Sequence, residues 1–260
     1  MENHTMTPVT PRSEGANQPN AVPAAVDDCW RLEGHRARWR AAAIDLDHPL
    51  DGIAARVGIG VGPAGGQDHL LGVDLRAECR IADHWQRGRD LTAVYEPADD
   101  RQLRASAMWR ISDLISASSP SIAAWECVVS AQTSLLHSDA SLAVVSQFAA
   151  VDILWGLLDA DLRQPTFTTD RPETANAILA RRDADTSLLL VAHPLDPHQI
   201  TCERTQGRAT VRHWLFSAAV EKGVLLRSRV LAAIGPSEND TAWAALLSAA
   251  FASSPPILTT

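Results

Sequence analysis

Alternation with a period of two constrains this chain more than any other feature of its sequence. From Val73 to Ile81 the odd positions are apolar (Val73, Leu75, Ala77, Cys79, Ile81), and the even ones are Asp74, Arg76, Glu78 and Arg80. Successive side chains of a strand point to opposite faces, so the segment reads as a strand with one buried and one wet face. Gln86–Asp90 breaks the pattern, Leu91–Glu96 resumes it and Pro97–Arg101 turns again. Leu103, Ala105, Ala107, Trp109 and Ile111 then alternate with Arg104, Ser106, Met108 and Arg110. Three strands joined by short turns predict an antiparallel meander.

Further along, Ile122–Leu136 carries Trp125, Cys127, Val129 and Ala131 on one side and reads as a central strand covered on both faces. Ser187–Ala192 and Ile200–Thr205 are further strands, and Ala149–Leu162 admits either a short helix or a strand. Ala209–Ser217 and Val224–Ile234 flank Glu221-Lys222-Gly223, which predicts a long hairpin with Gly223 in the special backbone conformation. One helix is expected. Ser237–Asp240 fits a helix-start signal, and Trp243, Leu246, Leu247, Ala250 and Phe251 recur at helical spacing. The expected fold is therefore all-β, two packed antiparallel sheets forming a sandwich, with one C-terminal helix; a closed barrel is the alternative.

The chain has 260 residues, enough for one such domain from residue 28 onward. Residues 1–27 hold Pro8, Pro11, Pro19 and Pro23 among small and polar residues, without apolar period, and are expected to be disordered. There is no basic, apolar leader and no long uncharged apolar run, so a soluble, cytoplasmic protein without a membrane span is expected. The net charge of −8 argues against nucleic acid as a partner. Lys222 is the only lysine; the many arginines show no cluster in the sequence. Cys29, Cys79, Cys127 and Cys202 lie far apart, a poor pattern for zinc, and free thiols are expected.

Motif chemistry is sparse. Gly60-Val61-Gly62-Pro63-Ala64-Gly65 matches G-x-G-x-x-G, but a strand rather than a helix follows, so a plain turn is expected and no nucleotide cofactor. His193, Asp196 and His198 crowd one proline-rigid loop, yet no third strong ligand stands at a recognisable spacing, and no metal is expected. Nucleophile-elbow, zinc-protease and P-loop motifs are absent.

Polar groups interrupting apolar strands carry the catalytic expectation. A carboxylate beside an imidazole is the minimum apparatus for general acid–base work, so Glu203 would act as base with His137 or His213 as partner. The same groups also fit ordinary cross-strand pairs on a wet sheet face. Eight tryptophans suit sugar recognition, and Trp109, Arg110 and Trp214 are the expected substrate contacts, although adjacent strand residues point to opposite faces.

Three segments carry a resemblance: Asp90–Pro97, Glu221–Arg227 and Ala252–Thr260. They resemble a group of bacterial proteins of similar length whose fold looks like the galactose-mutarotase-like β-supersandwich. These segments are turns and tail; the mutarotase pattern of two histidines and a glutamate does not map onto this sequence. The resemblance implies the fold and leaves activity open. Two functions follow as expectations: a carbohydrate-binding or carbohydrate-modifying, epimerase-like protein, or a non-catalytic, self-associating scaffold anchored by Trp243 and Phe251.

Overall fold

The computed structural model describes residues 29–40, 42–55, 68–114, 121–158, 165–196, 198–216 and 219–255. The N-terminal stretch, the glycine-rich Gly60–Gly65 and the end of the tail lie outside the described residues, as does the side chain of His198.

In chain order the strands are β1 (Arg31–Glu33), β2 (Arg36–Trp39), β3 (Ala42–Asp45), β4 (Ile53–Ala55), β5 (Asp68–Asp74), β6 (Cys79–Arg87), β7 (Asp90–Pro97), β8 (Leu103–Ile111), β9 (Ala123–Thr133) and β10 (His137–Asp139). There follow β11 (Leu142–Ala149), β12 (Asp152–Gly156), β13 (Phe167–Thr168), β14 (Ala177–Arg181), β15 (Thr186–Ala192), β16 (His198–Thr205), β17 (Arg208–Leu215), β18 (Ala219–Glu221) and β19 (Leu226–Pro236). The helix α1 (Asp240–Ser253) comes last.

The expected two-sheet sandwich is what the chain forms. An eight-stranded sheet has the order β1-β2-β3-β4-β5-β11-β17-β16, and a nine-stranded sheet the order β13-β12-β14-β15-β19-β9-β8-β7-β6. The pairings are antiparallel throughout, and β10 pairs with β18 in a small separate ribbon. Alternate residues of both sheets meet in one core: Leu91, Tyr95, Trp109, Cys127 and Val129 from one side, Leu70, Val73, Val144 and Val211 from the other. Buried polar atoms stitch the layers together. Trp109 Nε1 donates to the Leu71 carbonyl at 2.8 Å and Tyr95 Oη to Leu46 at 3.1 Å. Arg182 also pairs with the buried Asp68 across the sandwich.

The meander is real and one strand longer than expected, β6-β7-β8-β9, with Gly88 at φ 58 in its first turn. Two expectations are corrected. The alternation from Val73 to Ile81 is not one strand: β5 ends at Asp74, whose carboxylate accepts the Arg76 amide at 2.9 Å, with Arg76 at φ 59. That side-chain turn reverses the chain while preserving the alternating pattern. Nor do β17 and β19 form a hairpin. β17 pairs with β11 and β16, while β19 lies between β15 and β9 in the other sheet. The backbone turns at Phe216 (φ 56), and Gly223 (φ 84) closes the ribbon beside β10 instead. The ambiguous stretch after Ala149 becomes the strand β12.

The helix packs on the outer face of the nine-stranded sheet, where Leu247 and Phe251 join Leu154, Leu179, Leu189 and Leu231 in a second core. It starts at Asp240 rather than Ser237, and Asn239 at its cap makes no side-chain cap bond. The Asp240 carboxylate instead accepts Arg181 Nε and Ser187 Oγ, both at 2.9 Å, which ties the helix start to β14 and β15. Of the expected stripe, Leu246 points to solvent; Ala244 and Ser248 face the sheet in its place. Trp243 is half-buried with its Nε1 on the Pro236 carbonyl. No helix among the described residues is long and apolar enough to cross a membrane.

Candidate functional site

α1 packs on β14, β15 and β19 and leaves the rest of the outer face of the nine-stranded sheet, on β6 to β9, open to other neighbours, although Thr92, Val94, Met108, Val128 and Ser130 there are only 2–7% exposed. Register rows define it. Trp85, Thr92, Met108 and Val128 stand side by side across four strands. The next row is Val94, Ser106, Ser130 and Arg227, and beyond it Arg104 pairs with Gln132. Apart from Arg227, these residues line a groove of two joined cavities, about 880 Å³ and about 290 Å³, with Arg104 and Gln132 common to both.

The smaller cavity has a floor of Val94, Met108 and Val128 interspersed with Thr92, Ser106 and Ser130. Trp85, 44% exposed, and Leu225, 52% exposed, form its two lips. The larger cavity adds the ends of the meander turns and the Lys222-Gly223 turn. Within it Arg80 is paired with Glu96, and the nearby Asp99 is held by Arg101 at 2.7 Å. Among the described residues no carboxylate reaches Arg104 or Lys222. Arg227 donates from Nε to Ser130 Oγ at 3.1 Å, which fixes one floor hydroxyl.

A charged row closes the groove where the helix end begins. Arg110 grips Asp90 through two bonds of 2.5 and 2.6 Å and stands in register with Glu126. Glu126 meets Arg229 at 3.5 Å. Burial pushes the Glu126 carboxyl up, the Arg229 and Arg110 charges pulling it back only in part. Arg229 also donates to Ser254 Oγ at 3.2 Å and to the carbonyls of Ser254 and Pro255, and lies over the Phe251 ring. Beside it His193 is buried, with Nε2 on the Ala252 carbonyl at 3.2 Å. Asp196 accepts Ser228 Oγ and the Arg229 amide. The His193–Asp196 loop thus anchors the helix end. Among the described residues no three His, Cys, Asp or Glu side chains gather as a metal-binding group.

The six residues singled out in the sequence are dispersed. Glu203 lies on the solvent face of β16, 73% exposed, with Arg212 at 3.6 Å. His213 is wholly buried on the opposite, core-facing side of the adjacent strand β17. His137 is exposed on the small ribbon, facing Glu221 at 3.9 Å. Trp109 is wholly buried. Trp214 lies on the outer face of β17, with Nε1 on Thr201 Oγ1 at 3.3 Å. Only Arg110 stands on the groove face, one row beyond Thr92 and Met108.

The groove residues themselves were missed. Two signals pointed to them: Glu126, a lone carboxylate inside the longest apolar strand, and Trp85, a tryptophan in polar company beside the Gln86-Arg87-Gly88 turn.

No family model matches the chain, and no curated protein matches it. Solved structures do. The chain is similar to a candidate aldose 1-epimerase from Escherichia coli K12, with 11% identity over 81% of this chain and 82% of that one, at a TM-score of 0.42. A candidate kojibiose phosphorylase from the human microbiome matches 88% of the chain at 6% identity and a TM-score of 0.44. The heparan sulfate lyase of Pedobacter heparinus matches 62% at 8% identity and a TM-score of 0.35. The chain spans 33% of the phosphorylase and 22% of the lyase.

Proposed function

We propose that the open half of the nine-stranded sheet is a saccharide-binding groove. The observation that carries this reading is the exposed Trp85 ring beside a floor of alternating apolar and hydroxyl side chains, with the Gln132 amide and the Arg104 guanidinium next to them. An aromatic face takes the C–H face of a pyranose, and planar amide and guanidinium groups meet its hydroxyls in pairs. Glu203, His137 and His213, standing apart, have no part in it. Phe251 belongs to the second core and does not offer its ring to a partner. Titration calorimetry against a panel of neutral and acidic oligosaccharides tests the reading. Binding is expected for the native chain and at least about tenfold weaker binding for Trp85→Ala, a loss of ~1.4 kcal/mol. A panel without binding, or equal affinity in the variant, overturns it.

A further inference from the structure

Charge in the groove is distributed unlike charge in the chain as a whole. The protein carries a formal −8, yet once Arg80 is paired with Glu96, the larger cavity presents Arg104 and Lys222 against a single uncommitted carboxylate, Glu78. Arg104 projects from β8 directly beside Ser106, and its register partner is Gln132. Arg227, in register with Ser130, donates its Nε–H to Ser130 Oγ and lies outside the lining of both cavities. Two hydroxyls in register, Ser106 and Ser130, therefore lie beside the Arg104 guanidinium on one floor, and the only lysine of the chain lines the larger cavity. The sequence shows no cationic cluster because Arg104 comes from β8 and Lys222 from the turn between β18 and β19, more than a hundred residues apart.

We infer that the saccharide taken by this groove bears an anionic group, a carboxylate or a sulfate ester, seated against Arg104 beside Ser106 and Gln132, with Lys222 at the mouth. This rests on the saccharide reading and adds its charge. A guanidinium meets a carboxylate or sulfate with paired, charge-assisted hydrogen bonds, whereas a neutral sugar hydroxyl offers it only single neutral ones. The Ser hydroxyls and the Gln132 amide supply further donors without adding negative charge.

The test is titration calorimetry with neutral galacto-oligosaccharides, oligogalacturonates and O-sulfated galacto-oligosaccharides of matched length, with inorganic sulfate as control. Native protein, Arg104→Gln, Lys222→Gln and Trp85→Ala are compared. Anionic chains are expected to bind about tenfold or more tightly than neutral ones, the scale of one charge-assisted hydrogen bond. Added salt weakens that preference. Arg104→Gln removes most of it, with an unchanged circular dichroism spectrum because Arg104 is exposed. Trp85→Ala weakens neutral and anionic chains by the same factor. The galacturonate and sulfated arms tell which anion is preferred. Equal binding of neutral and anionic chains, untouched by Arg104→Gln and Lys222→Gln, overturns the inference and leaves the saccharide reading standing. Sulfate bound as tightly as any oligosaccharide, with no effect of Trp85→Ala, overturns the saccharide reading itself. Absence of all binding overturns both.

Discussion

Glu126 and Arg229 meet at 3.5 Å beneath the end of the helix, their side chains only 6% and 5% exposed. The pair marks the seam between the covered and open halves of one sheet face. Arg229→Met strands a carboxylate under Phe251 and frees the Ser254 and Pro255 carbonyls, and is expected to cost about 3–5 kcal/mol in urea unfolding. Glu126→Gln, which keeps the shape, is expected to cost less, and the double variant less than the sum of the two. Burial raises the Glu126 carboxyl, so the folded chain holds this proton more tightly than the unfolded one. Its contribution therefore falls as pH rises from the ordinary carboxylate range through the raised value. Unfolding across a pH series is expected to show that fall in the native protein and not in Glu126→Gln.

His193 titrates with the opposite consequence. Leu195 donates its amide to Nδ1 and Nε2 faces the Ala252 carbonyl, an arrangement that requires the neutral ring. Burial, and then the charge of Arg229, hold the imidazole below its ordinary value, against Asp196 and the Ala252 carbonyl. The stability it contributes is complete above the ordinary imidazole pKa and is lost as pH falls toward the lowered one. The urea midpoint is expected to drop as pH falls below the ordinary imidazole range. In His193→Gln the drop is smaller.

Two tryptophans of the nine-stranded sheet separate stability from recognition. Trp109 is wholly buried and bonded to Leu71, and Trp109→Ala is expected to cost about 3–5 kcal/mol. Trp85 is 44% exposed, and Trp85→Ala is expected to leave thermal unfolding within about 0.5 kcal/mol of native. Paired melting curves check both.

Gly72 is where β5 touches the loop between β3 and β4. A Cβ there would stand 1.9 Å from the Leu50 carbonyl oxygen, with backbone on both sides. Gly72→Ala must push the strand off the loop and break the 2.7 Å bond from the Val73 amide to the Pro49 carbonyl. About 3 kcal/mol or more is expected. Gly223→Ala, where the space is open and only φ 84 objects, is expected to cost about 1 kcal/mol. Denaturant titration of the two variants distinguishes sterics from backbone conformation.

The strands were legible because burial on a sheet imposes its period directly on the sequence; β7, β8, β9 and β16 fall close to where the alternation put them. Failures came where another interaction left the period intact. Asp74 and Arg76 turned the chain inside an unbroken alternation, and Gly223 sat between two strands that belong to different sheets. The groove was hidden for a related reason. Val94, Met108 and Val128 look like the second buried face of a central strand, and nothing local tells a face covered by a helix from one left open. Its polar members come from β8, β9 and the approach to β19, and only the register of a finished sheet brings them together. Glu203 and His213 seemed a pair because both interrupt apolar strands, yet their positions relative to the Glu203–Thr210 register place them on opposite faces.

The place of β19 has a consequence for how the molecule is made. This strand, beginning at Leu226, lies in the middle of the larger sheet between β15 and β9. Until the ribosome has delivered it, β9 and β15 each present a row of unpaired amides and carbonyls with apolar side chains on both sides. Such a nascent chain must wait, half-assembled and adhesive, for a late insertion spanning a hundred residues, and its folding will be slow and sensitive to chaperone supply.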